Sequence, residues 1–388
     1  MSPEPSSRLY WCWLATLVVV AAVGVSAWLR QLDTGLAVTG LGRDVSWGLY
    51  IAQFTFLVGI AASAVTVVLP YYLHDCKAFA PLAVLGELLA IAAVTCAGLF
   101  IAVDMGQPTR VLNVLRYPSL RSLMFWDMLS LGGYLALNAA IAWKTLSSER
   151  HDLPASGWVR PLIIISIPWA VSIHTVTAFL YSGLPGRSFW LTALLAPRFL
   201  ASAFASGPAL LVLVALLLRR VAGWDPGEAG VRRLLVIVAY ALAAHLFFLG
   251  VELFTVFYSQ VPAHVEPFRY LLADGHPTLA AAMWVSIVLA VTALAALLVP
   301  ACRQRPVVRA LAAAAVLVAL WIDKGFSLIV GGFVPTPLAA IVDYRPTGTE
   351  IEITLGIWAV GAFMVTVFYA LVIRIRRDTE VVDSVRQA

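Results

Sequence analysis

Apolar residues run along this chain in long blocks separated by short polar breaks. A helix crossing about 30 Å of hydrocarbon at about 1.5 Å per residue needs roughly 20 residues. Ten blocks reach that length, at about 9–29, 46–73, 79–104, 122–144, 159–181, 197–218, 233–258, 278–299, 307–333 and 351–373. Membrane-spanning strands would alternate in polarity, whereas Ala209 to Leu218 is continuously apolar, so the blocks are predicted as helices. The first block ends on Trp28-Leu29-Arg30 with no small-residue cleavage site, and reads as an uncleaved helix rather than a signal peptide. The expected fold class is all-α: a polytopic membrane protein with ten transmembrane helices and no soluble domain.

Composition supports that reading and removes its rivals. Of 388 residues, 61% are hydrophobic and 12% charged, about half the charged share of a soluble domain, which is roughly 25%. A chain with so little polar surface is excluded as a cytosolic enzyme, a disordered protein or a nucleic-acid binder. Where the charges lie matters more than their net of +5. With ten spans, sixteen Lys and Arg fall on the side of the termini and nine on the other, with Lys324 inside a span. The positive-inside rule then puts both termini in the cytoplasm. The outer segments 30–45, 105–121, 182–196, 259–277 and 334–350 are long and rich in Pro, Gly and aromatic residues. Such loops are docking or binding surfaces more often than plain connectors; the simpler reading is that they cap helix ends.

Charges within the spans are costly, about 2.5–3.5 kcal/mol each near the bilayer centre on insertion scales. Asp104 ends the third span, Trp126-Asp127 opens the fourth, and His174 lies within the fifth. His245 and Glu252 are seven apart on the seventh, hence on one helix face. Asp323 and Lys324 sit in the ninth, Glu350 and Glu352 open the tenth, and Glu87 lies in the inner half of the third. Helix-to-helix hydrogen bonding explains any one of them. Their concentration in the outer half is better explained by a polar pocket linked to a proton path. A quinol suits such a pocket, because its ring needs hydrogen-bond partners and proton acceptors while its tail stays in lipid. His174 and a neighbouring carboxylate can take the protons. The proton path is assigned to Glu87, His245, Glu252, Asp323 and Lys324. A proton or ion transporter built on these residues, or a membrane anchor without its own redox site, are the alternatives. The inner half offers little beyond Glu87, Asn138 and His245, which argues against a through-going transport route.

Haem is the sharpest competitor for the histidines. Only His174 and His245 lie well inside spans, at depths that permit one haem; His74, His151, His264 and His276 are in loops or at edges, which excludes a di-haem arrangement. Cys12, Cys76, Cys96 and Cys302 are far apart and form no iron–sulfur or zinc motif.

Several stretches carry a family resemblance. Trp47-Gly48-Leu49-Tyr50-Ile51-Ala52-Gln53-Phe54-Thr55-Phe56-Leu57-Val58-Gly59 resembles the opening core helix of the NrfD/polysulfide reductase membrane subunits. Asp104-Met105-Gly106-Gln107-Pro108 with Arg110, followed by Ser122-Leu123-Met124-Phe125-Trp126-Asp127, is similar in the same way. Ser172-Ile173-His174-Thr175-Val176-Thr177, Gly183-Leu184-Pro185-Gly186-Arg187, Ala196-Pro197-Arg198-Phe199, Trp321-Ile322-Asp323-Lys324-Gly325 and Gly332-Phe333-Val334-Pro335 resemble its ten-span, DsrP-containing branch. The resemblance covers nearly the whole chain. It implies a first four-helix bundle over 46–181 carrying the quinone site and a second over 182–333. These are flanked by a first helix and outer loop at 1–45 and by an outer loop, last helix and cytoplasmic tail at 334–388. It also implies a quinone or quinol substrate (menaquinone or ubiquinone) and no haem or iron–sulfur cluster in the chain itself. The implied partners are a periplasmic ferredoxin-like, DsrO-like iron–sulfur subunit and DsrM-, DsrK- and DsrJ-like subunits of dissimilatory sulfur metabolism. The implied site is Asp104, Asp127 and His174 as reacting residues, with Gln53, Arg110 and Trp126 completing the ring's surroundings.

Overall fold

The computed structural model describes residues 8–151, 157–273, 277–336, 338 and 340–387. His276 lies outside the described residues. Helices are α1 (Arg8–Thr34), α2 (Leu49–Leu73), α3 (Ala80–Asp104), α4 (Leu123–His151), α5 (Val159–Ser182) and α6 (Leu195–Ala222). They continue with α7 (Glu228–Ser259), the short α8 (Pro262–Leu272), α9 (Pro277–Leu298), α10 (Pro306–Gly331) and α11 (Gly348–Gln387). No strand occurs among the described residues.

Nine helices among the described residues are long and apolar enough to cross a membrane: α1, α2, α3, α5, α6, α7, α9, α10 and α11. The expected count of ten therefore rests on α4, which has ample length at 29 residues. Its apolar run is diluted by Asp127, Tyr134 and Asn138, all of them buried. The chain is a multi-pass membrane protein.

The second helix is the axis of the molecule. Every residue from Leu49 to Val68 on α2 is buried, as expected for a helix that is apolar all round. It packs against α3, α6 and α10. Helices in lipid gain little from hydrophobicity and rely on close backbone approach through small residues. Gly207 of α6 shows this: a Cβ there would lie 2.6 Å from the Ser63 backbone nitrogen of α2. Likewise a Cβ on Gly24 of α1 would lie 2.6 Å from Gly356 Cα of α11.

The first and last helices run antiparallel as a pair. Trp13 Nε1 donates to Thr366 Oγ1 at 3.2 Å, and Arg30 meets Glu352 at 2.6 Å. Both chain ends thus lie at one end of the bundle, and the opposite end is the distal face. There α11 begins with a capping box, Thr347-Gly348-Thr349-Glu350. The Thr347 amide donates to Glu350 Oε2 at 2.9 Å and the Glu350 amide to Thr347 Oγ1 at 3.4 Å. Glu350 also accepts from the Gly40 amide at 2.7 Å and from the Tyr344 hydroxyl. Burial and the Glu350 carboxylate hold the Tyr344 phenol well above its usual value, so it stays a donor. Glu350 is thereby a structural clasp between the loop after α1 and the start of α11.

Candidate functional site

Polar side chains converge at two places in the distal half. The first lies between α2, α4 and α5. His174, Thr177 and Tyr181 stand at i, i+3 and i+7 on α5, hence on one face, and all three are fully buried. Thr177 Oγ1 lies 2.6 Å from Asp127 Oδ1 of α4 and 2.7 Å from the Ile173 carbonyl, so its single proton is shared between them. The Tyr181 hydroxyl sits 2.5 Å from Thr55 Oγ1 of α2 and within electrostatic range of Asp127 and Asp104. Neither ring nitrogen of His174 has a hydrogen-bond partner among the described residues. Above this group lies an aromatic cluster: the Tyr181 ring is 5.7 Å from Trp47, 5.3 Å from Trp190 and 5.9 Å from Phe199.

The second place lies between α6, α7 and α10. Arg198 of α6 pairs with Glu252 of α7 and reaches Asp323 of α10 at 3.1 and 3.2 Å. His245 Nε2 is 2.9 Å from Asp323 Oδ2. All four side chains are buried. Asp323 and Lys324 lie in a π-helical turn, Trp321–Ser327, a distortion frequent at functional sites. Successive residues diverge by about 100° on a helix, and these two take different neighbours: Lys324 Nζ lies 3.5 Å from the Phe199 carbonyl and 4.5 Å from the Phe199 ring centre. Gly59 of α2 leaves room for the ammonium, since a Cβ there would be 3.0 Å from it. Phe199 touches both places, with Lys324 over its ring and Tyr181 beside it. Lys324 is also within electrostatic range of His174.

The expected site residues divide on this map. Asp127 and His174 are brought to one side through Thr177, and Asp104 lies at the distal edge of the same group, with its Oδ1 unpartnered among the described residues. Gln53, Arg110 and Trp126, expected around the same ring, lie apart from this group. Gln53 accepts from Trp321 at 3.0 Å and Trp358 at 3.1 Å, on the α10 and α11 side of α2. Thr55, two residues on, is turned about 200° from it. The Trp126 indole donates to the Leu120 carbonyl at 2.9 Å and its ring is exposed; Arg110 is exposed in the turn that follows α3. Glu87 is buried in α3, within electrostatic range of Tyr134.

Thr177, Tyr181, Thr55 and Arg198 belong to these groups without being singled out by the sequence pattern. The periodicity from His174 names the first two. Arg198 is the second residue of its predicted span and counts among the cations of the distal side, yet it is buried inside α6. Its signal is a lone guanidinium in an apolar run, which demands carboxylates nearby. Among the described residues no group of three or more metal-ligating side chains occurs.

Comparison with known proteins fits this architecture. The pattern of the family described as "Polysulphide reductase, NrfD" matches residues 37–336. A putative dimethyl sulfoxide reductase membrane subunit of Halobacterium salinarum is 29% identical over 91% of this chain and 89% of its own length. A selenate reductase subunit of Mesobacillus selenatarsenatis is 25% identical over 52% of this chain and 55% of its own. The Hdr-like menaquinol oxidoreductase integral membrane subunit of Archaeoglobus fulgidus is 24% identical over 64% and 61%, respectively. The matched span runs from the loop before α2 to the end of α10 and so contains both buried polar groups, and the chain belongs to the NrfD/polysulphide reductase family of membrane subunits.

Proposed function

We propose that this chain is the quinol-reacting membrane subunit of a multi-subunit oxidoreductase, passing electrons to an iron–sulfur partner docked on the distal face. The observation that carries the reading is His174. A buried polar group left without a partner costs about 1–3 kcal/mol, and this imidazole has two such nitrogens. A quinol hydroxyl supplies the missing partner. Asp127, held by Thr177 one turn along α5 from His174, is the acceptor for the second hydroxyl. Oxidation of the quinol releases two electrons and two protons. His174 and Asp127 take the protons, and the electrons leave through the partner's clusters.

The relatives support the reading, one of them being named a menaquinol oxidoreductase integral membrane subunit. On that basis menaquinol is the substrate, and the resemblance to DsrP-type subunits points to dissimilatory sulfur metabolism with DsrO-, DsrM-, DsrK- and DsrJ-like partners. The distal face is then periplasmic and both termini are cytoplasmic in a bacterial inner membrane, as the Lys and Arg distribution favours. Proton release follows the Arg198, Glu252, Asp323, His245 and Lys324 group. Glu87 and Tyr134, two turns along α4 from Asp127, supply a route toward the other face. A stand-alone transporter is less favoured, because the inner half offers little beyond Glu87, Asn138 and His245.

The test is Asp127→Asn and His174→Ala in the assembled complex. Loss of positioned acid–base help is worth roughly 10²–10⁴-fold in rate, so quinol-dependent electron transfer should fall by that order with the partner subunit retained. Near-normal rates in both variants would place the chemistry elsewhere.

A further inference from the structure

The segment joining α3 to α4, residues 105–122, is used by neither buried group. It contains Arg110, Arg116 and Arg121 and no acidic residue. All three arginines are exposed. So are its large apolar side chains: Leu112 is 57% exposed, Tyr117 72% and Leu120 73%, with Leu115 also exposed. The backbone is folded rather than extended, with turns at Pro108–Arg110 and Asn113–Arg116. Five large apolar or aromatic side chains held outward within thirteen residues, Met124 of α4 being the fifth, are far more than scattered surface leucines.

Two features say what covers them. The patch continues into the lipid-facing wall of α4, where Met124, Trp126 and Leu129 are exposed. Trp126 ties the two together, because its indole bonds to the Leu120 carbonyl while its ring is exposed; tryptophan is enriched at membrane interfaces. The second feature is charge: three exposed cations interleaved with exposed leucines, with no counter-ion in the segment, offer phosphate partners beside acyl-chain partners on one surface. We infer that residues 105–124 form an interfacial binding site for anionic phospholipid. Leu112, Leu115 and Leu120 enter the acyl boundary, while Arg110, Arg116 and Arg121 hold headgroup phosphates. Arg110 is thereby given a role outside the quinone site.

The experiment uses the full chain in bilayer discs of phosphatidylcholine containing a minor share of phosphatidylglycerol, with bound lipid read by native mass spectrometry. Each arginine near an anionic surface contributes a factor of about five. The R110Q/R116Q/R121Q variant should therefore lose the phosphatidylglycerol enrichment at least tenfold. R269Q, on the same face but in α8, should keep it. Equal enrichment in the triple variant and the parent chain would overturn the inference. So would a triple variant that keeps its phosphatidylglycerol but no longer co-purifies with the partner subunit, since the patch would then be a protein-docking surface.

Discussion

Arg198 is the residue whose loss the structure makes most costly. It is buried in α6 between Glu252 and Asp323, and those two carboxylates have no bulk water to turn to. Together with Lys324 the group contains two cations and two carboxylates. Arg198→Met keeps most of the side-chain volume and leaves one carboxylate in excess. Breaking a buried ion pair by removing one partner costs about 3–5 kcal/mol. With an unfolding entropy of about 2.1 cal/mol/K per residue, that loss corresponds to a fall in Tm of about 4–6 °C for a chain of this length. The assay is thermal unfolding in detergent followed by tryptophan fluorescence. Because the loss is electrostatic, R198M/E252Q, which restores the charge balance, should recover more than half of it. A fall under about 1 °C in the single variant, or a double variant no better than the single, would refute the assignment of Arg198 as the group's counter-ion.

Two further outcomes follow from the same map. Thr177→Val keeps the shape of the side chain but removes the hydroxyl that holds Asp127 Oδ1 at 2.6 Å; steady-state kinetics should show KM for quinol raised several-fold, with a smaller loss in kcat, and an unchanged KM would show that the carboxylate is positioned by other means. The reduced-minus-oxidised spectrum of the purified chain should lack a b-type α band, because the two histidines deep in spans stand in different groups, His174 between α2, α4 and α5 and His245 bonded through Nε2 to Asp323; a band there would mean that the two turn to face one another.

The helical membrane architecture is legible in the sequence because apolar blocks of about 20 residues have few other uses. The one element whose status is least plain in composition is α4, whose apolar signal is diluted by the buried Asp127, Tyr134 and Asn138. His245 and Glu252 can be placed on a common face from their spacing of seven, and they meet Asp323 and Arg198 of neighbouring helices. Gln53 cannot be placed, because α2 is buried all round and offers no face to read. Its partners, Trp321 and Trp358, lie 268 and 305 residues away, a tertiary choice that no local pattern encodes. Arg198 is hidden for a different reason: near the start of its span it counts as one more distal cation, and its burial is set by Glu252 and Asp323 on neighbouring helices. Trp126 stands next to the buried Asp127, yet a one-residue step on a helix turns it about 100° away and its ring is exposed.

The central claim is that quinol reacts between α4 and α5, against His174 and Asp127. An azido-quinone crosslinked to the assembled complex by light, followed by peptide mapping of this chain, tests it directly. The account predicts label on α5 between His174 and Tyr181 or on α4 near Asp127, abolished by excess unlabelled quinol. Label confined to the Gln53, Trp321 and Trp358 side of α2, with α4 and α5 unlabelled, would contradict it.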